Sequence, residues 1–175
     1  MQYLQSSALT LSLTNQRTMP MLLQPLCPCG SAAHYTDCCE PYLTGKAPAP
    51  TAEALMRPLA GISKSARYTA YSKGNVDYLI ATLHPKSRQK DDRPALLQSI
   101  HNTRWIGLTV IKTQKGQAQD KRGIVEFVAL YQPVPMKDLQ NIGAVNQLHE
   151  RSRFVQERGQ WFYVDGDILL PLKFI

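Results

Sequence analysis

The sequence predicts an α+β protein in which helices come first and an antiparallel sheet follows. Helical spacing of apolar residues is confined to the part of the chain before residue 104. Four segments rich in β-branched and aromatic residues follow, the order expected of helices packed on an antiparallel sheet. All four cysteines lie within thirteen positions near the N-terminus, which indicates a separate small module there.

Length and composition limit the organisation of the chain. Its 175 residues provide one domain of ordinary size plus a small appendage, and 43% hydrophobic residues are enough for a core. We expect a flexible extension over 1–25, a cysteine knuckle over 26–45 and an α+β domain over 46–175. No run approaches the roughly 20 apolar residues of a membrane span, and no signal peptide is evident, so we expect a cytoplasmic protein without a membrane partner.

The net charge of +7 resides entirely in residues 61–175, where 17 Lys and Arg face 10 Asp and Glu. Such a surplus permits an anionic partner, including RNA or an acidic protein surface, and does not choose among them. The densest basic run contains Lys86, Arg88, Lys90 and Arg93. No aromatic-interleaved RNA-binding motif accompanies it.

The four cysteines, Cys27, Cys29, Cys38 and Cys39, favour one structural zinc ion. Disulfides are the alternative, but Cys27 and Cys29 are too close to bridge comfortably and a bridge between the adjacent Cys38 and Cys39 is strained. Four thiolates instead surround zinc tetrahedrally at about 2.3 Å and close the site to water. Gly30 permits the tight turn that this arrangement needs.

Helix signals recur three times before the strands begin. Thr51 caps a short helix that runs through residue 57. Asn75 caps a second helix, whose apolar positions continue at helical spacing to Leu83, before Pro85. Pro94 lies near the start of a third helix.

The predicted strands cover 105–111, 124–131, 148–155 and 161–165. Arg158 and Gly159 join the last two as a hairpin. Trp105 and Trp161 are expected to anchor the core.

Alternation along 148–155 divides this strand into two faces. His149, Arg151 and Arg153 share one face, and Glu150, Ser152 and Phe154 share the other. We interpret the cationic face as a solvated surface with cross-strand ion pairs. Arg151 and Arg153 are also candidates for anion binding.

Several motifs in one order carry a family resemblance. The residues Cys27-Pro28-Cys29-Gly30-Ser31, Tyr35 and Cys38-Cys39 resemble the SEC-C zinc motif, first known from the SecA translocation ATPase. The pattern continues through Leu55-Met56-Arg57, Arg67-Tyr68-Thr69-Ala70-Tyr71, His84-Pro85, Trp105-Ile106-Gly107-Leu108, Glu150-Arg151-Ser152-Arg153-Phe154 and Trp161-Phe162-Tyr163-Val164-Asp165-Gly166. Together these resemble the uncharacterised bacterial YchJ family over roughly residues 26–166. The resemblance implies a cone-shaped domain similar to nuclear transport factor two, with helices packed on a curved antiparallel sheet, and implies no activity.

The chain departs from the family pattern at two places that affect the site. An eight-residue insertion, 58–65, contains Pro58 and Gly61 and would interrupt the first helix of the domain. The C-terminus lacks the second cysteine cluster of many relatives, so we expect a single zinc ion.

A pocket inside the cone is the second candidate site. Glu150 would point into it, with Tyr68 and Tyr71 as further pocket residues and His84 or Asp165 nearby, and such a carboxylate could act as a general base. No nucleophile, base and orienting group form a recognisable set, so we assign no catalytic residue and favour a binding protein over an enzyme.

The function that we predict is therefore that of a zinc-binding module or adaptor. It would act through the knuckle and the basic α+β domain on a protein or ribonucleoprotein partner. The alternative is a small-molecule-binding protein or enzyme that uses the cone pocket.

Overall fold

The computed structural model of the chain describes residues 25–56, 66–134 and 144–172. The described residues form five α-helices: α1 Glu40–Leu43, α2 Ala52–Met56, α3 Ala66–Lys73, α4 Val76–Ala81 and α5 Asp92–His101. Four strands follow: β1 Thr103–Lys115, β2 Arg122–Pro133, β3 Asn146–Glu157 and β4 Gln160–Ile168. The predicted α+β fold is confirmed. The expected extension lies outside the described residues except for Pro25, as does the insertion 58–65.

Both predicted helix caps are present. The Thr51 side-chain oxygen accepts a hydrogen bond from the Ala54 backbone N–H at 2.9 Å, and the Asn75 side chain accepts one from the Tyr78 N–H at 3.0 Å. Each bond satisfies a backbone donor that has no partner within the first helical turn. These two helices therefore begin where local sequence chemistry predicts.

The end of α4 differs from the prediction. The helix stops at Ala81, although apolar residues continue at helical spacing to Leu83. Leu83 instead forms an isolated parallel bridge with Tyr163 of β4, and the His84 N–H donates to the Tyr163 carbonyl at 2.8 Å. Pairing with the sheet thus replaces the last helical turn.

Helix α5 is present as predicted but covers little of the core. None of its residues is fully buried, and Leu97 is 52% exposed. No helix in the described ranges combines the length and apolar character needed to cross a membrane.

The four strands form one antiparallel sheet in the order β1-β2-β3-β4. The pairing register shifts after Trp105 and Val110 in β1, and between Arg153 and Phe154 of β3, where Val164 of β4 is the extra residue. Such bulges bend a strand and increase its twist. Arg158 and Gly159 have φ angles of 50° and 79°, the conformation of a tight two-residue turn, which confirms the predicted hairpin.

The core lies between the inner face of the sheet and the helices. Leu55 of α2 is 1% exposed and packs with Phe154 and Trp161, which are equally buried. Trp161 is therefore a core anchor, as predicted. Trp105 is only partly buried, and its ring lies 6.0 Å from that of Tyr68 on α3.

Candidate functional site

The four cysteine sulfurs form one compact cluster. All four Sγ atoms lie within 4.8 Å of one another, with 3.5 Å between Cys29 and Cys38 and 3.8 Å between Cys38 and Cys39. Every one of the four residues is buried, and none forms a disulfide. The spacing of two cysteines on each side of eight residues thus brings all predicted ligands together.

Backbone hydrogen bonds within the knuckle position the sulfurs. The Cys27 N–H donates to the Ala33 carbonyl at 2.8 Å and closes a loop in which Gly30 has a φ of 81°. A side chain at Gly30 would be strained in this left-handed conformation. Cys38 and Cys39 then follow a 3-10 turn and lead directly into α1.

The donor set fits a tetrahedral zinc ion. Zinc–sulfur bonds of about 2.3 Å place the sulfurs of a tetrahedron about 3.8 Å apart, within the range of the separations here. The Ser31 hydroxyl lies 3.1 Å from the Cys38 sulfur, at a distance where a hydrogen bond can orient this sulfur toward the ion. Burial raises the pKa of the Cys38 thiol to about 12, whereas hydrogen bonding with Cys27 lowers the pKa of Cys29. A divalent cation would favour the thiolate at all four positions.

The knuckle packs against α3 of the larger domain. The Thr69 hydroxyl is fully buried and lies 3.9 Å from the Cys27 sulfur. One turn further along α3, the Lys73 ammonium lies 4.1 Å from the centre of the Tyr35 ring, a cation–π contact. The cysteine cluster and the α+β domain therefore share this helix as a boundary.

A cavity of about 180 Å³ lies between the helices and the sheet, and we call it the cone cavity. Its lining includes Tyr68, Tyr71 and Glu150, the three predicted pocket residues. His84 and Asp165, also expected near Glu150, do not belong to the lining within the described residues. The His84 ring instead lies 3.2 Å from the Glu157 carboxylate, and Asp165 pairs with Arg153 on the outer face of the sheet.

Glu150 is held in the cavity by two hydroxyl groups. Its Oε1 accepts hydrogen bonds from Ser152 at 2.6 Å and from Tyr163 at 3.1 Å. The side chain crosses Gly166, where a Cβ would lie only 2.2 Å from the carboxylate oxygen. Burial, and then the nearby Glu150 charge, raise the pKa of Tyr163, and burial raises the pKa of Tyr68 to about 12. Both phenols therefore remain hydrogen-bond donors at neutral pH.

Arg67 is a cavity residue that sequence reasoning missed. It is 5% exposed, and its Nη1 donates to the Leu79 carbonyl at 2.9 Å and to the Thr82 hydroxyl at 2.7 Å. Its guanidinium carbon lies 4.8 Å from the centre of the Tyr163 ring. The cavity thus contains a buried cation as well as a carboxylate.

The candidate anion-binding arginines lie on the opposite face of the sheet. Arg151 donates to Glu126 at 2.9 Å, and Arg153 pairs with Asp165 and with Asp167. The Arg151 guanidinium, followed by the His149 ring, lowers the pKa of Glu126. Arg153 likewise lowers the pKa of Asp167. Anion binding stays a prediction, because both guanidinium groups already contact carboxylates.

The basic run is also engaged within the chain. Arg88 donates to the carbonyls of Leu83 and Ala81 at 3.0 and 3.2 Å. Arg93 pairs with Asp77. Two of the four cations in this run therefore already have partners, and RNA binding by the run stays a prediction.

A second, more open groove of about 480 Å³ borders α4 and the residues that follow the knuckle. Two of its polar side chains already serve the fold. Asn75 caps α4 and Asp77 pairs with Arg93. The groove is larger than the cone cavity, and the Trp161 Nε1 on its lining is buried without a hydrogen-bond partner among the described residues.

Comparison with known proteins identifies the family. The model of the YchJ middle NTF2-like domain matches residues 51–166. A UPF0225 protein of Serratia proteamaculans is 43% identical over 141 residues, which are 81% of this chain and 82% of that protein. A UPF0225 protein of Pectobacterium carotovorum is 42% identical over 140 residues, with 80% and 81% covered.

Solved structures agree with the fold. A SEC-C motif containing protein from Rhodopseudomonas palustris superposes with a TM-score of 0.67 at 30% identity, covering 83% of this chain and 99% of that one. A SEC-C motif containing protein from Psychrobacter arcticus has the same fold, with a TM-score of 0.60 at 24% identity and 84% of each chain covered. On its sequence, its cysteine cluster and its fold, the chain belongs to the YchJ family.

Proposed function

We propose that the protein binds a small organic molecule in the cone cavity and uses one zinc ion to brace the knuckle against that domain. The observation that carries the proposal is a cavity in which a buried arginine and a carboxylate lie among apolar walls. Ligand sites in proteins typically combine an apolar lining with a few convergent polar groups. The adaptor role predicted from the sequence is the alternative function.

Unsatisfied polar groups favour the cavity over the outer surface. Arg151 and Arg153 have carboxylate partners on the outer face. In the cavity, the second oxygen of Glu150 and the remaining N–H groups of Arg67 have no hydrogen-bond partner among the described residues. Neither group is among the fully buried atoms of the described residues that lack a partner, so these atoms are accessible from the cavity and available to a ligand.

The lining favours binding over catalysis. A nucleophile with an adjacent base and an orienting group does not occur among the described cavity residues. The pKa of Tyr163 is raised, so its phenol is a donor rather than a base.

The zinc ion is proposed as a structural element. Four sulfur ligands complete a tetrahedron and leave no open position for a substrate. Zinc thiolates persist in reducing compartments, which supports a cytoplasmic location. We expect close to one zinc ion per chain by elemental analysis, and a Cys38→Ser, Cys39→Ser double variant that retains little or none.

The cavity is tested by blocking its mouth. Ser99 on α5 is exposed and also lines the cavity, so Ser99→Phe should obstruct entry at little cost to the core. Gln98→Phe is the matched control, because Gln98 is exposed on the same helix and is not a lining residue. The probe is a panel of fragments with about six to ten non-hydrogen atoms, observed by amide chemical shifts.

We expect fragments to bind the unmodified protein and Gln98→Phe, and to change the amide chemical shifts of Tyr71 and Glu150. Ser99→Phe should not bind them. Equal binding to both variants would place the fragments elsewhere. Absence of any binding fragment would return the adaptor role, with its protein or ribonucleoprotein partner, to first place.

A further inference from the structure

The buried guanidinium of Arg67 lacks an anionic partner. Its two hydrogen bonds go to a carbonyl and a hydroxyl, both neutral, and no ion pair among the described residues includes it. A buried cation is costly unless an opposite charge or several hydrogen bonds compensate it. Nη1 makes both existing bonds, so Nε and Nη2 remain for an anionic group that enters the cavity.

The carboxylate of Glu150 offers the complementary feature. Ser152 and Tyr163 both donate to its Oε1, which fixes the orientation of the group. Its Oε2 has no hydrogen-bond partner in the described parts of the chain. This oxygen suits a strong donor, and an ammonium group is the donor whose charge also complements the carboxylate.

The two charges line one cavity without pairing with each other. A ligand that carried only an anion would satisfy Arg67 and leave Glu150 facing it unpaired. A ligand with one positive and one negative group satisfies both charges and keeps the filled cavity neutral. The cavity therefore selects for a zwitterion on charge alone.

The walls and volume define the rest of the ligand. Leu108, Phe127 and Leu148 supply apolar surface to the lining. A cavity of about 150 Å³ accommodates benzene, so about 180 Å³ has room for a short side chain. We propose that the ligand of the cone cavity is a small zwitterion of the amino-acid class with an apolar side chain, its carboxylate bound by Arg67 and its ammonium by Glu150. This inference rests on the proposed function, which supplies the cavity as the ligand site.

The first test varies the ligand on the intact, zinc-loaded chain. The three probes share a 3-methylbutyl group and differ in charge. Leucine carries both charged groups, isocaproate carries only the carboxylate, and isoamylamine carries only the ammonium. Isothermal titration calorimetry should give leucine an affinity roughly tenfold or more above that of either analogue, because each analogue leaves one cavity charge unsatisfied. If isocaproate binds as tightly as leucine or more tightly, the proposal of a zwitterionic ligand is wrong.

The second test varies the protein. Glu150→Gln keeps an oxygen that accepts from Ser152 and Tyr163 and removes the charge. We expect this substitution to lower the affinity for leucine roughly tenfold. The affinity for isocaproate should not fall. Glu126→Gln removes a carboxylate on the outer face of the same sheet and is the matched control, with leucine affinity unchanged.

The outcomes separate the two proposals. If none of the three compounds binds while fragments still enter and Ser99→Phe blocks them, the zwitterion is wrong and the cavity remains a ligand site. If Ser99→Phe blocks nothing, the ligand site itself fails. If Glu150→Gln does not fold, the ligand series on the unmodified chain decides alone.

Discussion

Gly166 shows how a single missing side chain can shape a binding cavity. The carboxylate of Glu150 occupies the space that a Cβ at Gly166 would fill, at a separation of 2.2 Å. Because the colliding group is the far end of a side chain, an added methyl would expel the carboxylate without breaking the strand. The hydrogen bonds from Ser152 and Tyr163 would be lost with it.

Gly166→Ala should therefore lower the free energy of unfolding by about 1–3 kcal/mol, the usual cost of overpacking. Urea unfolding measures this change, and the Tyr163 ring shifts report the displaced carboxylate. Gly107→Ala is the control, because a Cβ at Gly107 meets nothing within 4 Å. Equal effects of the two substitutions would mean that Glu150 is not held against Gly166.

The contacts of Glu126 with Arg151 and His149 predict how the stability of the fold changes at acidic pH. Arg151 and His149 lower its pKa in the folded state, so its contribution to stability is present above the unfolded pKa of about 4.3. That contribution is lost as the pH falls through the lower, folded pKa. Glu126→Gln should be less stable than the unmodified chain near neutral pH, and the difference should shrink toward about pH 3. Urea unfolding at several pH values tests this, and a pH-independent difference would contradict it.

Among the elements, α4 links a local sequence signal to the cavity. Its first turn depends on the Asn75 cap, and its last carbonyls include Leu79, which accepts from Arg67. Weakening this short helix therefore also loosens the support of the guanidinium.

Asn75→Ala should cost about 1 kcal/mol of stability, because one backbone donor at the helix start loses its partner. Asn75→Ser should retain most of that stability, since serine also caps well. Thermal unfolding followed by circular dichroism separates the two variants. Equal losses would indicate that the amide acts through something other than the cap.

Features set by neighbouring residues could be predicted from the sequence, whereas features set by residues distant in the chain could not. The cap at Asn75 and the turn at Arg158 depend on a few neighbouring residues, so local chemistry was sufficient. The bridge of Leu83 to Tyr163 and the inward position of Arg67 depend on residues far away in the chain, and an arginine on a helix ordinarily predicts a solvated side chain. The inward position of Glu150 could be predicted, because alternation along the strand places it on the face opposite Arg151. Its contact with Gly166 could not, because Gly166 lies on the neighbouring strand.

At the scale of the whole molecule, α3 connects the cysteine cluster with the cavity. Thr69 contacts the Cys27 sulfur, while the adjacent Arg67 and Tyr68 line the cavity. All three residues are at most 5% exposed, so the helix is enclosed on both sides. We predict that chelation melts residues 26–42 and leaves the larger domain folded, because metal binding supplies the folding free energy of so short a knuckle. The shared helix adds that the remaining domain should be less stable, because it loses its cover over α3.

Removal of zinc should accordingly lower the melting temperature of the sheet while its β-sheet circular dichroism persists at 25 °C. A ligand present at about 1,000 times its Kd stabilises the folded state by about 4 kcal/mol, which for a domain of this size corresponds to a shift of several degrees or more. The measurement is thermal unfolding followed at the β-sheet signal, with and without a chelator. Thr69→Val removes the hydroxyl at the cysteine cluster and keeps the shape of the side chain, so the zinc-dependent shift should become smaller. An unchanged melting temperature after chelation would mean that the knuckle and the sheet fold independently, and complete loss of the β signal at 25 °C would mean that the domain cannot fold without the metal.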